Sequence, residues 1–185
     1  MEEKDLSYRF EINFGSGTGD DYVLSVVDIK RTDLIEPEDI EFHTPGIATS
    51  GLYFEPLLLY FFEKHYDPAF CYNEHLDLEE YEKGYFDGCK ENFYSYDMID
   101  EICKEIMALA EGIEKDTWNH DFEEVNESIK ICFDAWKIDK AATQGSVEYS
   151  SFMHDVSSYL IRFEKALRGI MYRNPQSNLI SVSGP

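Results

Sequence analysis

The chain has 185 residues, 43% hydrophobic and 15% aromatic, and its 38 Asp and Glu against 16 Lys and Arg give a net charge of -22. That much apolar material fills one core and argues against intrinsic disorder, so residues 1–185 read as a single domain. The charge excludes direct nucleic-acid binding, which depends on cations that displace counterions from phosphates, and it disfavours anionic membrane surfaces.

The charge is uneven. Residues 1–136 hold 10 cationic and 34 acidic side chains, whereas residues 137–185 hold 6 and 4. The late cations Arg162, Lys165, Arg168 and Arg173 are expected to decorate a solvated helix face or to pair with nearby carboxylates. Cys71, Cys89, Cys103 and Cys132 form no CxxC, and the opening Met1-Glu-Glu-Lys-Asp5 lacks the basic and apolar regions of a signal peptide, so a cytoplasmic protein with free thiols is expected. The longest apolar block, Leu57 to Phe62, is too short to cross a bilayer core of about 30 Å as a helix.

In chain order, Tyr8, Phe10, Ile12 and Phe14 alternate with polar residues, and Tyr22 to Ile29 is β-rich, which predicts an opening hairpin. Its connector, residues 15–21, carries glycines that permit positive φ but lacks the phosphate-loop pattern GxxxxGK[ST]. Pro37 and Pro45 punctuate the next stretch, in which a short strand is expected at Ile40 to His43. Pro56 suits the first turn of a helix whose run Leu57 to Phe62 is apolar around most of its circumference, and Pro68 ends it.

Residues 72–94 mix acids, aromatics, Gly84 and Gly88, which predicts irregular structure with short strands near Tyr85 and Phe93. A helix capped by Ser95 follows from Ile99, Ile102, Cys103, Ile106, Leu109 and Ala110. Another, with Asp121 and Glu124 spaced as a capping box, puts Phe122, Val125, Ile129, Cys132, Phe133 and Trp136 on one face. A long helix carries Phe152, Met153, Val156, Leu160, Phe163, Leu167 and Ile170 and ends before Pro175. Leu179 to Val182 reads as a strand docked on the domain. The expected fold is α+β: a small antiparallel sheet, from an N-terminal hairpin plus short strands, covered by about four helices.

No catalytic residue is assigned, because no GxSxG, SxxK or cysteine-protease signature surrounds any Ser or Cys. Cys103 and Cys132 fall on apolar helix faces, as small buried hydrophobes do. No metal or cofactor is expected: His65, Cys71, His75 and Cys89 match no zinc spacing, and residues 77–84 lack the glycine and the terminal glutamate of an EF-hand. A pair of carboxylates in a cleft would be an enzyme site that sequence spacing does not reveal.

The feature above background is an acidic and aromatic cluster, Glu74, Asp77, Glu79, Glu80, Tyr81, Glu82, Tyr85, Phe86 and Asp87, followed by Phe93, Tyr94 and Tyr96. Tyrosine supplies interface anchors, while carboxylates accept bidentate arginine bonds and steer a basic partner. Glu74, Asp77, Glu79, Glu80, Tyr81, Glu82, Tyr85 and Asp87 are therefore the expected partner-binding residues. The alternative is a solvated loop whose aromatics point into the core. A second candidate patch is Glu111, Glu114, Asp116, Trp118, Asp121, Glu123 and Glu124.

With the Asn92-Phe-Tyr-Ser-Tyr96 entry to a helix and the closing Leu179-Ile-Ser-Val-Ser-Gly-Pro185, this small acidic chain resembles the bacterial immunity proteins that neutralise polymorphic or contact-dependent inhibition toxins. The resemblance implies a cognate toxin domain as partner, often a nuclease, bound without covalent chemistry. Two other readings stand beside it: an acidic nucleic-acid mimic, which needs regularly spaced carboxylates on an elongated face, and an enzyme with an unrecognised carboxylate site, which needs a concave pocket.

Overall fold

The computed structural model describes residues 10–15, 17, 19–29, 40–67, 92–117 and 147–185. Its strands are β1 (Ile12–Phe14), β2 (Asp21–Ile29), β3 (Ile40–Ser50), β4 (Asn92–Ser95) and β5 (Leu179–Ser183), which form one antiparallel sheet in the order β1-β3-β2-β5-β4. The helices are α1 (residues 51–64), α2 (Tyr96–Glu114) and α3 (Val147–Arg173). The fold is α+β, as composition and pattern predict. Three helices are described where about four were expected, and the helix expected over 121–136 lies outside the described residues.

The period of two along β2 assigns its faces. Tyr22, Leu24 and Val26 are buried toward the helices, with Thr49 and Ile47 of β3, Ile180 and Val182 of β5, and Tyr94 of β4 opposite or beside them. The helices bring Phe54, Phe62, Ile102, Ile106, Leu160 and Phe163 to this face. Phe54 stacks on Tyr22 with ring centroids 4.1 Å apart, and Phe163 meets Phe54 and Phe62 edge-on. Val27, Ala48, Phe93 and Ser181, which point the other way by register, are also buried.

The opening hairpin is corrected. β1 pairs with β3, Ile12 lying opposite Thr49, so β3 separates β1 from β2. Alternation fixes which residues share a face of a strand but carries no information about its neighbour. The glycines of the connector act as expected: Gly17 has φ +66, and a Cβ there would come 2.8 Å from the Val23 side chain. Positive φ and close approach both require glycine at that position.

β3 is longer than expected, because its breakers sit in a bulge. Leu24 opposes Ile47 and Val26 opposes His43, so one two-residue step of β2 faces a four-residue step of β3 that contains Thr44, Pro45 and Gly46. The bulge removes Pro45 from the ladder, where its missing N–H would leave a gap. A Cβ on Gly46 would lie 2.8 Å from the Leu24 carbonyl oxygen.

α1 is α-helical over Gly51–Phe54 and Tyr60–Lys64 and π-helical over Glu55–Leu59 between them. Pro56 has no N–H and its ring crowds the preceding turn, a conflict that the wider π turn accommodates. Leu57, Leu58, Phe61 and Phe62 are fully buried, as their apolar circumference predicts. α2 starts where Ser95 Oγ accepts a hydrogen bond from Met98 N at 3.2 Å. It packs on α3, and Ser157 Oγ donates to the Ala110 carbonyl, 3.3 Å away. β5 lies inside the sheet, between β2 and β4, so the expected docking of Leu179 to Val182 is as deep as a strand allows.

Candidate functional site

The expected partner-binding residues Glu74, Asp77, Glu79, Glu80, Tyr81, Glu82, Tyr85 and Asp87 lie outside the described residues. So do Cys71, His75 and Cys89 of the weighed zinc set. His65 has a structural place: its Nε2 lies 3.1 Å from Glu105 Oε1, and Lys64 Nζ donates to both Glu105 oxygens, which ties the end of α1 to α2. Burial disfavours the charged form of Glu105, but the bonds from Lys64 and His65 outweigh that and hold its carboxyl below the ordinary value. Among the described residues no group of three or more His, Cys, Asp or Glu is arranged to hold a metal ion. Cys103 is buried, and desolvation pushes its thiol up to about 12.

Of the second patch, Glu111, Glu114 and Asp116 are exposed at the C-terminal end of α2, while Trp118, Asp121, Glu123 and Glu124 lie outside the described residues. Lys115 Nζ lies 3.0 Å from Glu111 Oε2 and His154 Nδ1 lies 3.2 Å from Glu114 Oε1. Pairs as exposed as these hold little energy, so a stronger cation displaces them readily. Three of the four late cations serve the fold: Arg168 bridges Asp100 and Glu164, Arg162 Nη2 donates to Phe10 O at 2.9 Å, and the Arg173 guanidinium sits 5.7 Å from the centre of the Phe14 ring, while Lys165 is exposed.

A polar site assembled from four distant segments lies at one end of the sheet. Val27, Leu179 and Ser95 form one row across β2, β5 and β4. The next row is Asp28, Asn178 and Tyr96, where Tyr96 N donates to the Asn178 carbonyl at 3.0 Å. The Tyr96 hydroxyl donates to Asn174 O, also at 3.0 Å, across the turn that follows α3, and Ser177 N closes that turn on Asn174 O. From β3, His43 stands beyond the bulge, opposite Val26, and its Nε2 lies 2.8 Å from Asp28 Oδ2.

The bond from His43, then the nearby Ser177 hydroxyl, hold the Asp28 carboxyl below its ordinary value against a small desolvation penalty. Ser177 Oγ is buried and has no partner at hydrogen-bond distance and angle, so its influence on Asp28 is one of proximity. Desolvation and then the charge of Asp28 push the Tyr96 phenol up to about 12. Only the imidazole meets the carboxylate at hydrogen-bond distance. A nucleophilic triad needs the imidazole between serine and carboxylate, so this order does not activate Ser177. What it offers is an ionised carboxylate oriented by an imidazole.

Sequence clusters did not reveal this site, because residues 28, 43, 96 and 177 are remote in the chain. One signal was present. Asp28 continues the inward register Tyr22, Leu24, Val26, a charge where the pattern calls for an apolar side chain.

Comparison with known proteins finds no matching family model, no matching curated protein and no matching solved structure. Among the described residues no helix is long and apolar enough to cross a membrane.

Proposed function

We propose that the protein is an acidic, protein-binding inhibitor of the immunity type, which neutralises a basic partner, such as a toxin domain with nuclease activity, by non-covalent cover of its working surface. The observation that carries this reading is the charge of -22. It is expressed on the described surface by α2, whose 19 residues include six acids and one lysine. A field of that sign accelerates encounter with a cationic protein and repels polyanions. The cluster from Glu74 to Asp87 supplies further carboxylates with Tyr81 as anchor, and an interface of about 1,600 Å² in total is the expected size.

Pull-down from the native cell, followed by binding kinetics over a salt series, tests this. Replacing Glu79, Glu80 and Glu82 with glutamine slows association with the captured partner and flattens its salt dependence, while Tyr81→Ala speeds dissociation. Unchanged kinetics in both variants move the surface to Glu111, Glu114 and Asp116. Capture of an acidic partner, or of nothing beyond a small metabolite, overturns the reading.

A further inference from the structure

We propose that the outer edge of β1 docks an extended, carboxylate-bearing segment of a second protein, at a surface separate from the acidic one invoked above. Gly15 N donates to Gly46 O at 3.1 Å, in the same frame that sets Phe14 opposite Ile47 and Ile12 opposite Thr49. Antiparallel ladders alternate hydrogen-bonded and non-hydrogen-bonded pairs, so Asn13 and Gly15 turn their backbone groups toward β3, whereas Ile12 and Phe14 turn theirs outward. Among the described residues no strand lies beyond β1. Proteins blunt such edges with lysine, proline or a bulge, and Ile12-Asn13-Phe14 has none of these, its three-residue length being its one protection. Phe14 is 59% exposed on this edge.

α3 runs alongside the edge. Arg162, Ala166, Gly169 and Arg173 share one face of it by helical spacing, and that face is set beside the strand because Arg162 reaches Phe10 O while Arg173 lies over the Phe14 ring. Gly169, between the two arginines, weakens the helix relative to alanine, yet a Cβ built there meets nothing within 4 Å. The fold itself has no need of glycine at that position, whereas a chain laid along β1 beside α3 does. Charge names the occupant. Arg162, Lys165 and Arg173 are exposed and form no ion pair among the described residues, against the single acid Glu11 on the strand. Screening confines the influence of a charge to about 8 Å at physiological ionic strength, so these cations outweigh the distant acids of the chain for a segment seated here. The outward N–H and C=O groups bond an extended main chain, and a guanidinium takes a carboxylate by two parallel bonds. A second copy of the chain brings the same cations to the same edge together with a further charge of -22, so it is repelled both near and far.

The test follows amide NMR shifts of the full chain on titration with the capped heptapeptide TVEVEVT and, in parallel, its lysine counterpart TVKVKVT. Saturable shifts and slowed hydrogen exchange are expected at Ile12 and Phe14, with a smaller response at Asn13, whose N–H already faces β3, and with the lysine peptide at least about three-fold weaker. Methylating alternate backbone nitrogens of TVEVEVT, which keeps its side chains and removes donors, abolishes binding. Gly169→Leu fills the space beside the strand and also abolishes it, while Arg173→Gln weakens it and narrows the gap between the two peptides. Absence of saturation at Ile12 and Phe14, equal affinity for both peptides, or undiminished binding by a folded Gly169→Leu variant overturns the proposal. Shifts at Ile12 and Phe14 that grow with protein concentration before any peptide is added overturn it in favour of a second copy. Should Gly169→Leu fail to fold, the methylated peptide and the comparison of charges still decide. Neither peptide derives from a captured partner, so failure here leaves the inhibitor reading standing, and saturation here does not rescue it.

Discussion

Thr49 Oγ1 and Tyr159 Oη, both buried, lie 2.8 Å apart and join the sheet to α3. Thr49 gives its single proton to the Glu11 carbonyl at 3.2 Å, so Tyr159 is the donor between the two hydroxyls. Burial raises the Tyr159 phenol well above its ordinary value and keeps that donor in place. Tyr159→Phe removes one bond and costs about 1 kcal/mol, whereas Thr49→Val strands the Tyr159 hydroxyl in the core and costs about 1–3 kcal/mol. Urea unfolding of both variants checks the order. Equal or reversed losses contradict the assigned direction of donation.

Arg168 fastens α3 to α2 by bridging Glu164 on its own helix and Asp100 on the other. Arg168→Met leaves Glu164, which is 8% exposed, without that cation. The expected loss is about 1–2 kcal/mol, below that of a fully buried pair because Arg168 is half-exposed. Adding Glu164→Gln to Arg168→Met recovers part of it. A double-mutant cycle that shows no coupling between the two positions rejects the bridge.

The Asp28 carboxyl, depressed below its ordinary value of 3.8 by His43 and Ser177, stabilises the fold above that value. The contribution disappears as pH falls through the lower folded value, because both folded and unfolded states are then protonated. The stability difference between the native protein and Asp28→Asn is therefore constant near neutrality and narrows below pH 3.8. Unfolding curves from neutral to strongly acid pH measure it. A difference that stays constant to the acid end denies Asp28 its depressed value.

Asp116 ends α2 with φ 53, in the left-handed region. Thr117 N reaches the Gly112 carbonyl at 2.8 Å and Asp116 N the Ile113 carbonyl at 3.1 Å, the two bonds of a Schellman ending in which glycine is the favoured residue. Asp116→Gly is expected to stabilise the protein by about 0.5–1 kcal/mol, since the same turn then forms without a side chain at positive φ. Thermal unfolding reads this directly. If the variant also loses affinity for the captured partner, the acid at this strained position is retained for binding.

Helices α2 and α3 and strand β5 were legible because each buries one face and its period is uninterrupted. At Ile99, Ile106, Val156, Phe163 and Ile180 the pattern and the burial agree. Legibility stopped wherever the answer depended on another part of the chain. The partner of β1 is set by register with residues 47–49, and Pro45 and Gly46 read as an end of structure when they are the bulge of a continuing strand. The Asp28–His43 pair was illegible for the same reason: acidic clusters are dense in sequence, whereas these two residues meet only after β2 has paired with β3.

The position of β5 sets an order of events during synthesis. β4 emerges from the ribosome more than 80 residues before Leu179, yet in the finished sheet its ladder partner is β5. Until that segment appears, β2 has a vacant inner edge and β4 has no strand beside it. The nascent chain therefore holds two unpaired β edges for several seconds at ordinary rates of elongation. The row Asp28, Asn178, Tyr96 comes into being only when the closing strand slides between β2 and β4, so this end of the sheet matures last, after translation has passed residue 183.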